Sequence, residues 1–185
     1  AGFENLCFVE RHGAEQHPCF GFDYELAGKR IAEKVISEDF HRIAVITDSM
    51  RFSNEHDFSR GLCSRFRGGK VKYTHITTDN RRVSHSMIDL LMKEEDYDAV
   101  VTSNIRFAEK IRHVVENFSL EQPIPIFTLS SVTSLPEQDY RKYELNYGLL
   151  GRAVAETLIG ESSEKQAQPE QLFENDGFRL WNQME

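Results

Sequence analysis

No run of apolar residues in this chain nears the length needed to cross a bilayer, and its opening, AGFENLCFVERHG, lacks the basic start and apolar stretch of a secretory leader. A soluble, cytoplasmic protein is expected. Cysteine is scarce: Cys7, Cys19 and Cys63 are an odd number without close pairing, which suits a reducing compartment better than a secreted disulfide framework. The seven histidines form no HxxxH or HExxH pair, so no metal site is expected. Positive charge is also in deficit. With 22 Lys and Arg against 30 Asp and Glu, the net charge is −8 and the pI about 5.4, which argues against this chain gripping a polyanion itself. Neither a GxGxxG turn nor a GxSxG elbow occurs, and the RGGK stretch at 67–70 is too short for a Walker loop and precedes a strand. Hence no catalytic residue and no cofactor are expected.

What is present is an ordinary globular composition, 39% hydrophobic over 185 residues, enough for one domain or one and a part. One pattern repeats. In FHRIAVITDSMRFSNEHDFSRGLCSRF, residues 40–66, the apolar run Ile43–Ile46 stops at Thr47, Asp48 and Ser49, and a helical pattern with Phe58, Leu62 and Phe66 inward follows from about Asn54. A short all-apolar strand is buried on both faces, as in a parallel sheet, and needs a helical crossover to reach its neighbour. DAVVTSN at 98–104 and IPIFTLSS at 124–131 repeat that ending in small polar residues. The expected fold is therefore α/β, a doubly wound, mostly parallel sheet of about five strands with helices on both faces.

Other elements follow in order. Leu6–Val9 and Cys19–Phe22 are extended, and DYELAGKRIAEKVISEDF is a helix with Ala27, Ile31 and Val35 inward. VKYTHI, 71–76, is a strand nearer the sheet edge, after a Gly68-Gly69 helix stop. A helix from about Ser84 to Glu94 turns Met87, Ile88 and Leu91 inward, and one over Ile105–Phe118 buries Ala108, Ile111 and Val115. Pro125 belongs at the start of its strand. Val132–Leu145 reads as irregular, LNYGLLGRAVAETLIG as a helix, 161–171 as a loop, and FRLW, 178–181, as a last short strand.

In open α/β sheets ligands bind beyond the carboxyl ends of the strands, which makes Asp48, Ser49, Ser103, Asn104, Ser130 and Ser131 a candidate rim. Each also suits capping of the helix that follows.

The same segments carry a family likeness. FDYELAG (22–28), HRIAVIT, the helix with Arg60-Gly61, DAVVTSNIRFAEKI (98–111), IPIFTLSS and LLGRAVAETLIG resemble, in order and over nearly the whole chain, the effector-binding domain of the lactose/galactose repressor (LacI/GalR) family, of type I periplasmic-binding-protein fold. The resemblance implies a small-molecule-sensing and dimerising domain of a transcription regulator. It implies lobes joined by three crossings, with 18–142 and 172–185 as the C-terminal lobe, 1–12 and 145–160 as remnants of the N-terminal one, and the helix-turn-helix absent from this chain. By matched position it implies ligand-binding roles for Glu10, Asn104 and Tyr147. The family's effector-binding Arg falls on Phe58, its Asp after Asn on Ile105, and a strand-end Asp on Ser130. Phe58 then becomes an apolar wall and Ser130 a hydrogen-bonding group, and a crevice without that guanidinium should prefer a neutral sugar or nucleoside. The expected partners are such an effector, a second copy of the chain, and DNA only through a separate domain. Two alternatives stay open: a periplasmic-type sugar-binding protein, and an enzyme on the same sheet with Asp48 as nucleophile or Mg²⁺ ligand.

Overall fold

The computed structural model describes residues 8–10, 19–91, 96–117, 124–131, 140–159, 170–173 and 178–179. In chain order its elements are β1 (Phe8–Val9), β2 (Cys19–Phe22), α1 (Tyr24–Ser37), β3 (Arg42–Thr47), α2 (Ser53–Phe66), β4 (Lys72–Thr77) and α3 (Val83–Leu91). These are followed by β5 (Ala99–Thr102), α4 (Ile105–Asn117), β6 (Ile126–Ser130), β7 (Tyr140–Glu144), α5 (Tyr147–Ile159), β8 (Glu170–Phe173) and β9 (Phe178–Arg179). Two compact units result: Ala1–Asp23 with Leu145–Asp176, and the larger Tyr24–Glu144 with Gly177–Glu185.

The larger unit is built on a six-stranded sheet of order β4-β3-β5-β6-β7-β9. All its pairings are parallel except β7 with β9. The apolar runs explain the centre. Every residue of Ile43–Ile46 and Ala99–Val101 is fully buried, as parallel strands covered on both faces must be. One face carries Ala44, Ile46, Val100, Ile126 and Tyr140 against Val83, Met87 and Leu90 of α3 and Phe107, Ala108 and Ile111 of α4. Alternate residues point to the opposite face, where Tyr73 of β4 meets Phe66 of α2 with ring centroids 5.5 Å apart. The expected doubly wound, mostly parallel α/β fold is what the chain adopts.

On that second face α1 and α2 approach closely through two glycines. A Cβ on Gly28 would stand 2.2 Å from the Phe58 carbonyl oxygen, and one on Gly61 2.0 Å from that of Glu25, so side chains at either position would force the backbones apart. Both glycines sit where the helical stripes meet: Ala27, Ile31 and Val35 of α1, and Phe58, Leu62 and Phe66 of α2, are buried. After α2 the chain turns at Gly68, φ +78°, a left-handed conformation that favours glycine.

Several boundaries fall where the sequence placed them, with β4 at the sheet edge and β6 beginning one residue after Pro125. Within α3 it is Leu90 that is buried beside Met87, while the side chain of Leu91 and residues 92–95 and 118 lie outside the described residues. The expectation of irregular chain over 132–145 is corrected at Tyr140–Glu144 by β7, and the loop expected over 161–171 is corrected at 170–171 by β8; residues 132–139 and 161–169 lie outside the described residues. β7 hides its signal because its sequence is YRKYE. Tyr140 and Tyr143 are buried, and the Arg141 guanidinium lies 5.3 Å from the ring centre of Phe127 and reaches Glu38 at 2.6 Å. A cation with both an aromatic face and a carboxylate can thus occupy an inward position that patterning assigns to an apolar residue.

The smaller unit has a parallel three-stranded sheet of order β1-β2-β8. Against it, Tyr147 at the start of α5 meets Phe22 of β2 edge-on, centroids 4.9 Å apart.

Candidate functional site

The carboxyl ends of β3, β5 and β6 are adjacent in the larger sheet, so the polar residues after each are gathered on one edge. Thr47, Ser103 and Ser130 are buried there, Asp48, Ser49 and Asn104 are half-buried, and Ser131 is exposed. The Asp48 carboxylate folds back on its own loop, accepting from the Ser49 amide at 2.6 Å. Asn104 caps α4: its Oδ1 accepts from the Phe107 amide at 3.0 Å, leaving the Nδ2 amide as the group it can offer a ligand. Capping and ligand contact therefore use different atoms of one side chain.

A feature that sequence reading missed joins two of these loops. Glu55, in the first turn of α2, is only 6% exposed. Its Oε2 accepts from the Asp48 amide at 3.1 Å, its carboxyl also bonds Ser103, and the Asp48 amide lies 3.4 Å from Ser103 Oγ. Burial pushes the Glu55 carboxyl above the ordinary range; the bonds from Ser103 and Asp48 N–H pull the other way, and the Asp48 carboxylate adds to the rise. One turn further along α2, Ser59 Oγ is buried with no hydrogen-bond partner among the described residues. Nearby, His75 Nε2 lies 2.9 Å from Thr47 Oγ1, and burial lowers the imidazole's pKa, favouring its neutral form. The available signal was an acid at Glu55 on the same helical stripe as Phe58, Leu62 and Phe66.

The five residues singled out from sequence fall in two groups. Phe58, Asn104 and Ser130 belong to the larger unit, Glu10 and Tyr147 to the smaller. Phe58 is wholly buried at the α1–α2 contact and presents no surface to solvent in this structure. Ser130, 2% exposed, ends β6 opposite Glu144 of β7. Glu10 adopts a left-handed backbone, φ 57°, with its amide donating to the Phe20 carbonyl at 2.7 Å. Such a conformation is uncommon outside glycine and aspartate-like residues. Tyr147 is exposed on one side while its ring edge packs on Phe22. Among the described residues no three His, Cys, Asp or Glu side chains are placed to hold a metal ion, and no helix is long and apolar enough to cross a membrane.

No family model matches the sequence, and no curated protein does. Solved structures do match. The Cra transcriptional dual regulator from Pseudomonas putida, in complex with fructose 1-phosphate, superposes with a TM-score of 0.77 at 12% identity over 95% of this chain and 68% of that one. A LacI-family transcriptional regulator from Arthrobacter sp. FB24, in complex with lactose, gives 0.78 at 12% identity over 95% of this chain and 69% of its own. A sugar-binding LacI-family regulator from Escherichia coli, complexed with phosphate, gives 0.77 at 11% identity over 92% and 65%. The chain thus has the fold found in these transcription regulators, and spans about two thirds of their length.

Proposed function

We propose that this chain is the effector-sensing part of a transcription regulator of the LacI/GalR type. The observation that carries the reading is the fold match to such regulators over 92–95% of the chain. Three of them hold fructose 1-phosphate, lactose and phosphate as bound molecules. In this reading the chain binds and does not catalyse: the ligand favours one of two conformations and thereby changes DNA affinity. With a net charge of −8, this chain is not suited to hold DNA, so that contact belongs to another part of the regulator. The protein acts in the cytoplasm and self-associates. Sedimentation at micromolar concentration should show a dimer, and a monomer at every concentration would remove that part of the reading.

The ligand class we favour is a neutral sugar or nucleoside. Asn104 Nδ2 and Ser130 supply hydrogen bonds, and Glu10 and Tyr147 are proposed contributors on the family likeness. By the family likeness Phe58 stands where the family has a guanidinium, and the strand-end rim carries the acids Asp48 and Glu55, both of which disfavour a desolvated anion there. A thermal-shift screen of neutral sugars, sugar phosphates, nucleosides and purines tests this, with Asn104→Ala and Ser130→Ala alongside. A neutral compound should raise the melting temperature with concentration, and both variants should blunt the rise. Strong stabilisation by a sugar phosphate, equal in wild type and both variants, would overturn the assignment.

A further inference from the structure

The rim of the larger unit is made of loops that follow different strands, and nothing in a parallel sheet itself fixes one such loop against the next. Backbone pairing between β3 and β5 stops at Ile46 with Thr102. Beyond that row the Glu55 side chain bridges the loops, beside a longer contact of 3.4 Å from the Asp48 amide to Ser103 Oγ. Glu55 accepts the Asp48 amide at 3.1 Å on one side and bonds Ser103 on the other, from a position in α2 that is 6% exposed. Asn104, the next residue, caps α4, so the placement of its amide follows that of Ser103.

We propose that Glu55 is a positioning residue for this rim: while its carboxyl carries a proton it ties the loop after β3 to the loop after β5, and the tie loosens when it ionises. A protonated carboxyl can donate to Ser103 Oγ through its O–H while its other oxygen accepts from Asp48 N–H, satisfying three groups with no buried charge. The ionised form keeps both bonds as an acceptor but places a charge where water cannot reach it.

The groups around it favour this behaviour. The loop after β3 presents the Asp48 carboxylate, which repels the ionised form; the loop after β5 presents the neutral Ser103. On β4 the residues facing α2 include His75, bonded to Thr47 and held toward its neutral form by burial. Within α2, Ser59 is neutral, and Asp57 is engaged by Arg60 at 3.1 Å. Among the described residues no cation is set against Glu55 to hold it ionised.

The importance of the tie for ligand response rests on the function proposed above, whereas the tie itself is a property of the free protein, so its test uses no ligand. Amide hydrogen exchange, followed by NMR from about pH 4 to about pH 8 and corrected for intrinsic rates, reads the Asp48 amide against those of Ala44–Ile46. Protection at Asp48 should fall by up to about tenfold per pH unit between the ordinary glutamate value and the raised one, while Ala44–Ile46 stay protected. In Glu55→Gln, which keeps an acceptor and a donor without a titrating proton, Asp48 should remain protected throughout. Ser103→Ala removes a bond that favours the ionised form and should move the midpoint to higher pH; Asp48→Asn removes the repulsion and should move it lower. A corrected Asp48 protection that does not change with pH, or changes identically in Glu55→Gln, overturns the proposal, as do midpoints that ignore both neighbouring substitutions.

Discussion

Asn104 illustrates how one side chain can hold two roles that a substitution separates. Asn104→Asp keeps the oxygen that caps α4 and loses the Nδ2 donor, so thermal stability should be retained while ligand-induced stabilisation disappears; Asn104→Ala should lose both, with a stability cost of about 1 kcal/mol in urea denaturation. Equal ligand responses in wild type and the Asp variant would confine Asn104 to capping. Phe58 gives a contrasting case. It is fully buried between α1 and α2, and Phe58→Ala should cost about 3–5 kcal/mol whatever it does to ligand binding. His75 sets a pH window. Its folded-state pKa is depressed, so its contribution to stability is present above the ordinary imidazole value and is lost as pH falls through the folded one. Denaturation of His75→Gln over that range should lack this acid-side loss; an unchanged profile would show that His75 is not its source. Asn104 and Ser130 could be singled out from sequence because they end apolar runs. For Glu55 the one signal, its place on the buried stripe of α2, was outweighed because an acid in a first helical turn ordinarily faces water, and its partner Ser103 comes from a distant loop.

Among the elements, the contact of α1 with α2 depends most on particular residues. A Cβ at Gly28 would meet backbone atoms at 2.2 and 2.8 Å, and backbone cannot swing aside as a flexible side chain does. Gly28→Ala should therefore destabilise the protein by roughly 1–3 kcal/mol or more, although alanine is the better helix former. A neutral or stabilised variant would mean that the helices stand further apart. Central elements were legible because their sequences are one-sided: RIAVIT and AVVT are apolar on both faces, and α1 carries a clean stripe. The sequence of β7 is mixed, and its burial depends on partners contributed by the turn after α1 and by β6, which no local pattern contains. The polar run before β8 concealed where that strand begins for a related reason, since strand pairing through the backbone leaves little mark on a short EQLF segment.

For the whole molecule, the doubly wound sheet was legible because strand, crossover helix and strand repeat with little interruption. Its ligand class was less so, since the rim combines residues that cap helices, residues that tie loops and residues that remain for a ligand. If β3 lies at the centre of the larger unit, the Ile43–Ile46 amides should be among the slowest to exchange, far slower than the exposed end of α5 near Ile159. Comparable rates would contradict the central placement. The most direct test of the account as a whole is amide chemical-shift mapping during titration with neutral mono- and disaccharides, with inorganic phosphate in parallel. Saturable shifts at 47–49, 103–104 and 130–131, induced by a neutral sugar and abolished by Asn104→Asp, are the predicted result. Shifts confined to the opposite end of the strands, around Gly68–Gly69 and Asp98, or produced by phosphate alone and indifferent to the variant, would contradict a neutral effector held at the strand-end rim.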